Sequence, residues 1–160
     1  DGSYVRAHQH ASGARRGQAR AIGKSRGGAT TKIHLAVDAN GYPIDFKITG
    51  GDVHDSQVAE QLIELIDQGE YLIADKGYDS EKIREKAQSH GLKAIIPRRS
   101  NSKKDNKEFD PYLYKLRHLV ENMFACLKHF RSIATRFDKL ARNFKSMTYL
   151  ACTIIWCKAK

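Results

Sequence analysis

The dipeptide Asn40-Gly41 lies between two runs of alternating apolar and polar residues, and no other stretch restricts the fold as tightly. Both residues tolerate positive φ, which a two-residue type I′ turn requires. Such a turn sets Ala39 opposite Tyr42, and hence Val37 opposite Ile44, Leu35 opposite Phe46 and Ile33 opposite Ile48. The apolar pairs then share one face, with His34 and Lys47 on the other. Turn chemistry and alternation agree on an antiparallel hairpin.

The elements that follow are read from periodicity and punctuation. Asp55 can cap a helix over residues 56 to 67, with Val58, Leu62, Leu65 and Ile66 on its buried side. Residues 71 to 74 read as a short buried strand that ends at Asp75 and Gly77. Asp79 or Ser80 opens a second helix, which Gly91 stops, and residues 92 to 96 form the next strand, ended by Pro97. Residues 98 to 107 are a polar, mostly basic loop. Asp110-Pro111 is a cap and first-turn pair for a long helix reaching about residue 129. A last helix covers residues 139 to 158, with Leu140, Phe144, Met147 and Ile154 among its apolar positions. This order predicts an α/β domain with a mixed sheet whose later strands run parallel under covering helices. Chemistry in such sheets gathers at the carboxyl ends of strands, which is where Asp75 falls.

Charge narrows the partner. Twenty-eight Lys and Arg against eighteen Asp and Glu leave a net charge of +10, a field that attracts polyanions. No basic amphipathic helix with apolar anchors stands out and no apolar run could span a bilayer, so nucleic acid is expected and a membrane is not. Residues 11 to 30, rich in Gly, Ala and Arg, read as a mobile basic loop whose Arg15, Arg16, Arg20, Lys24 and Arg26 are a solvated linker or phosphate contacts. Gly23, Gly27 and Gly28 lack the spacing of a nucleotide-binding loop, so no nucleotide cofactor is expected. Cys126, Cys152 and Cys157 read as reduced thiols of a cytoplasmic protein. His8 and His10 have no partners at zinc-ligand spacing, and Asp38 and Asp45 read as hairpin surface.

The segment YKLRHLVENMFACLK places Tyr114, Arg117, Glu121 and Lys128 within roughly 60° of each other around a helix axis. Spacing alone allows an ordinary solvated face with an Arg117–Glu121 ion pair. It also allows a stripe in which Glu121 holds a metal ion while Tyr114, Arg117 and Lys128 meet phosphate oxygens, for which the planar Arg fork is suited. His54-Asp55 reads as a helix-cap pair or as a neighbour of the site. Lys76 reads as solvated or as a phosphate contact.

The spacing Y-x(2)-R-x(3)-E-x(6)-K, met by these four residues, resembles the signature of the transposase DDE domain of bacterial insertion sequences. The opening DGSYVRAH, the run GKSRGGATTKIHLAVDANG and the stretch ADKGYDS resemble the same family, in the same order, over nearly the whole chain. The resemblance implies a ribonuclease H-like mixed five-stranded sheet, three antiparallel strands then two parallel ones, flanked by helices. It implies one catalytic domain over residues 1 to 160, with Asp1 inside a truncated first strand and an N-terminal DNA-recognition region lacking. The family's two aspartates fall on Asp1 and Asp75 and its glutamate on Glu121, as ligands of two magnesium ions that manganese can replace. Hydrolysis at element ends would free a 3′ hydroxyl that attacks target DNA. The implied partners are double-stranded DNA, through terminal inverted repeats and target sites, and a second subunit in a homodimer on that DNA. The implied location is the cytoplasm, at the nucleoid. Two other readings remain open: a DNA-binding remnant without catalysis, and another nuclease on the same fold.

Overall fold

Ile33, Leu35 and Phe46 are each about 1% exposed, and burying side chains of this size contributes roughly 2 kcal/mol apiece. They form the inner face of the hairpin at the centre of the larger sheet. The computed structural model describes residues 1–13, 20–102 and 104–159. Its strands are β1 (Gly2–Ala7), β2 (Gly23–Ser25), β3 (Gly28–Val37), β4 (Pro43–Gly50), β5 (Tyr71–Ile73), β6 (Lys93–Ile95) and β7 (Thr135–Arg136). Its helices are α1 (Ser56–Ile63), α2 (Glu81–Ser89), α3 (Pro111–Lys115), α4 (His118–Lys128), α5 (Arg131–Ala134) and α6 (Ala141–Cys157). None is long and apolar enough to cross a membrane among the described residues.

The hairpin register is the expected one at Ile33↔Ile48, His34↔Lys47 and Leu35↔Phe46, and it slips at its end. A bulge between Ala36 and Val37 brings Val37 opposite Pro43 instead of Ile44, and Ile44 is left exposed. The turn is not the two-residue type I′ form. Only Gly41 has positive φ, at 87°, and Asn40 does not. The Asp38 carbonyl accepts from Gly41 N, and its carboxylate accepts from Asn40 N and Tyr42 N. This Asp-organised turn needs one left-handed residue followed by a wider closure.

β3 is flanked by β1 on one edge and by β4 and the short β2 on the other, all antiparallel. β7 adds to the far edge of β1 in parallel. The inner face packs Val5, Ile33, Leu35 and Phe46 against α4 and α6 through residues such as Val120, Leu127 and Phe144. The parallel pair β5–β6 does not join this sheet. It forms a second, two-stranded sheet with its own core, built with α1 and α2 from Ile63, Ala74, Tyr78, Ile83 and Ile96. The five strands of the main sheet are therefore not the expected five, and the α5–β7 segment had no sequence signal. Between the two sheets lies a cavity of about 450 Å³, lined on one side by Leu35, Val37 and Ile44 and on the other by Leu72 and Ala74.

Other boundaries also shift. α1 ends at Ile63, short of residue 67, and Leu65 is exposed. The long helix after Asp110 is broken at Leu116–Arg117, where Leu116 N, Arg117 N and Leu119 N all bond three residues back and tighten the turn. Asp110 does cap α3, accepting from Tyr112 N and Leu113 N. In α6, Thr148 is buried and Met147 is exposed, the reverse of an apolar-only expectation. Thr148 can be inside because its hydroxyl donates to Phe144 O at 2.9 Å. Gly91, at φ 73°, ends α2 as expected.

Candidate active site

The three carboxylates expected at the site stand on separate elements, Asp1 before β1, Asp75 after β5 and Glu121 in α4. Asp1 is zipped to β3, its carbonyl accepting from Leu35 N at 2.8 Å. Its Oδ1 accepts from Gly2 N at 2.8 Å and its Oδ2 from an Arg117 terminal nitrogen at 2.6 Å. The other terminal nitrogen of Arg117 donates to Glu121 Oε1, one helical turn along α4. One guanidinium fork thus joins residues from far apart in the chain. Asp75 comes from the smaller sheet, directly after β5. It caps the tight 3-10 turn Lys76–Tyr78 by accepting from Gly77 N at 2.6 Å.

Behind these groups lies a buried charged cluster. Lys32 and His34, on the outer face of β3, are 4% and 0% exposed. Both approach Asp55 Oδ1, Lys32 Nζ at 3.1 Å and His34 Nδ1 at 3.2 Å. His34 Nε2 meets Thr49 Oγ1 at 2.9 Å, and the Lys32 ammonium also sits 4.5 Å from the centre of the Tyr4 ring. The His34–Asp55 approach is close but poorly aligned as a hydrogen bond. Burial alone would raise the Asp55 pKa; His34 and Lys32 outweigh it and lower the value to about 2. Burial likewise acts to lower Lys32, and the Tyr4 and Asp55 contacts override it and raise it. Asp55 makes no side-chain cap bond to α1, so the helix-cap reading is corrected. Its Oδ2 turns toward Asp75: a methyl placed on Gly77 would lie 2.8 Å from Asp75 Oδ1 and 3.7 Å from Asp55 Oδ2. A methyl on Gly2 would lie 2.5 Å from Asp55 Oδ1, so only glycine lets β1 pass this carboxylate. Tyr78 lies beneath, its pKa raised by burial and by the charges of Asp55 and Asp75.

Among the described residues, no three His, Cys, Asp or Glu side chains are gathered closely enough to hold a metal ion as they stand. The donor chemistry still fits a hard divalent cation, because Asp1, Asp75 and Glu121 offer carboxylate oxygens. A cationic group, the Arg117 guanidinium, already lies between two of them.

The family model of the transposase DDE domain matches residues 1–156. The chain belongs to this family. It is 36% identical over 130 residues to a protein named as the transposase of insertion sequence element IS6501 of Brucella ovis, covering 81% of this chain and 99% of that one. It is 32% identical over 139 residues to the protein named for element IS402 of Burkholderia cepacia, covering 78% of this chain and 62% of the relative. For the protein named for IS1106 of Neisseria meningitidis, identity is 33% over 100 residues, 60% of this chain and 35% of the relative. The chain therefore spans nearly all of one relative and less than two thirds of the other two. No solved structure matches it.

In this DDE domain the remaining expected site residues stand on several different elements. Tyr114 is in α3, its ring 5.3 Å from that of Phe109 and 5.9 Å from the Arg117 guanidinium. Lys128 is exposed at the end of α4, two turns past Glu121. Lys24 and Arg26 are exposed on β2 and its turn, and Arg20 is exposed before them; Arg15 and Arg16 lie outside the described residues. Lys76 is exposed beside Asp75. His8 and His10 pack edge to face with each other, and His8 packs against Phe137. Cys126, Cys152 and Cys157 are free thiols, Cys152 pushed up to about 11 by burial. The alternating pattern placed His34 and Lys47 on the face away from the apolar pairs, but gave no sign that His34 and its neighbour Lys32 are buried there.

Proposed function

We propose that this chain is the catalytic domain of an insertion-sequence transposase, cutting phosphodiesters at element ends and transferring the freed strands to target DNA. The observation that carries the reading is the Arg117 fork, which joins Asp1 to Glu121 across the length of the chain. Family membership supports the transposase reading.

Magnesium, or manganese in its place, would be held by Asp1, Asp75 and Glu121, supplying an activated attacking oxygen and a stabilised leaving oxygen. The chain's own residues do the rest. Tyr114, Arg117 and Lys128 meet phosphate oxygens and fix the scissile bond in line. Arg15, Arg16, Arg20, Lys24 and Arg26 add sequence-independent attraction to the duplex. The Lys32–Asp55–His34 cluster anchors β3 to the Asp75 turn, so that ligands from the two sheets keep their spacing. The full recombination reaction engages two element ends, which a homodimer on DNA accommodates. For the fold, we read β5–β6 as the outer strands of one ribonuclease H-like sheet. The apolar cavity between β3 and β5 is the place an intervening extended segment would pair.

The test is strand nicking on duplexes that carry the element's ends. Asp75→Ala and Glu121→Ala are expected to lower magnesium-dependent nicking by three orders of magnitude or about that, with DNA affinity changed less than about threefold. Wild-type nicking by either variant, or nicking by the parent that survives a chelator, would overturn the reading.

A further inference from the structure

The proposed site contains a cation of its own, and it uses the same oxygens as the proposed metal ligands. Arg117 sits at the tight turn between α3 and α4, about three-quarters buried, with its fork divided between two carboxylates. Asp1 Oδ2 takes one prong and Glu121 Oε1 the other. Asp1 Oδ1 is committed as well, to Gly2 N. A divalent ion bound to these carboxylates, with oxygen ligands at about 2.1 Å, would lie within about 4 Å of the guanidinium if the fork stayed. Like charges at that range in a half-buried pocket repel strongly. The two arrangements therefore compete for these carboxylates.

We propose that Arg117 is an exchangeable counter-cation: it holds Asp1 and Glu121 in register until a divalent ion displaces it, and the released fork then takes a DNA phosphate. This rests on the assignment of Asp1, Asp75 and Glu121 under the proposed function. The chemistry of the exchange is balanced, since guanidinium trades two carboxylate partners for a phosphate that accepts two parallel hydrogen bonds. The Tyr114 ring, 5.9 Å from the guanidinium carbon, gives the side chain a surface to swing across. Arg117 is then a positioning residue for the ligands before the ion enters and a phosphate clamp afterwards. The exchange links ion binding to DNA binding.

The experiment is calorimetric titration of the full chain with Mn²⁺ in the absence of DNA. The proposal predicts that Arg117→Gln tightens Mn²⁺ binding by about fivefold, the scale of removing two part-exposed ion pairs. Arg117→Lys, which keeps the charge but lacks the fork, should tighten it by an intermediate factor. Lys115→Gln, which removes an exposed cation nearby, should leave it unchanged. Addition of DNA phosphate should tighten Mn²⁺ binding in the parent and do so less in Arg117→Gln. Equal or weaker Mn²⁺ binding in Arg117→Gln overturns the exchange. So does an unchanged Arg117→Lys, because a diffuse charge effect would then account for the glutamine result. Asp75→Ala separates the two readings: if it abolishes Mn²⁺ binding while Arg117→Gln has no effect, only the exchange fails. If the parent binds no Mn²⁺ through these carboxylates, both fail.

Discussion

Asp55 is the residue whose environment departs furthest from what its neighbours in sequence imply. Preceding a helix, with a serine after it, it reads as a cap; in the fold it turns back to Lys32 and His34. No local pattern reveals this, because the partners lie on a strand more than twenty residues earlier and their burial depends on α1 crossing that face. Asp75 and Glu121 were legible for the opposite reason: a strand end and a helical stripe are local signals. The depressed Asp55 pKa gives a stability prediction with a definite sign. A fall from 3.8 to about 2 corresponds to on the order of 2 kcal/mol, present above the unfolded value and lost as pH falls through the folded one. Asp55→Asn should therefore be less stable than the parent by about that amount at pH 7, and the gap should close between roughly pH 4 and pH 2. Urea unfolding at several pH values measures it, and a gap that stays constant with pH would rule out the charged cluster as its source.

The β3–β4 hairpin illustrates which parts of an element a sequence specifies. Alternation fixed Ile33↔Ile48 and Leu35↔Phe46, since a slip of one residue would turn those side chains out of the core. The turn was less determined, because Asn40-Gly41 suits more than one geometry and the Asp38 carboxylate selects among them. Gly41, at φ 87°, is the position that needs glycine. Gly41→Ala is expected to cost about 1 kcal/mol, whereas Asn40→Ala should stay within about 0.5 kcal/mol. A type I′ turn would instead make both sensitive, so thermal unfolding of the two variants distinguishes the geometries. The α3–α4 break escaped notice because Leu116 and Arg117 are good helix formers; the tightening comes from tertiary placement of Arg117 against Asp1, which helical periodicity does not encode.

At the scale of the whole molecule, element order was readable from the hairpin to β6, whereas β2, the α5–β7 segment and sheet membership were not. The pairing of β7 with β1 depends on the buried Arg136, whose guanidinium bonds Thr31 Oγ1 and the Ala21, Asp138 and Lys139 carbonyls. An arginine in a short polar stretch gives no hint of such a role. Net charge was fully readable, and it predicts strong salt dependence of DNA binding. Raising salt from about 50 to about 200 mM should weaken binding at least a hundredfold if several phosphates are neutralised. Fluorescence anisotropy with a labelled duplex reads this directly; a flat profile would mean that the basic surface does not face DNA.

The split between the two sheets has a mechanical consequence. Asp1 and Glu121 ride on the larger sheet and its helices, Asp75 on the smaller one, and no ladder bond among the described residues ties the halves together. The halves are joined instead by side chains, through the Lys32–Asp55 ion pair and the Asp55 carboxylate that turns toward the Asp75 turn. If the proposed ion bridges Asp75 to Asp1 and Glu121, it adds a second tie across the seam, and amide protons lining the crevice should slow their exchange together when it binds.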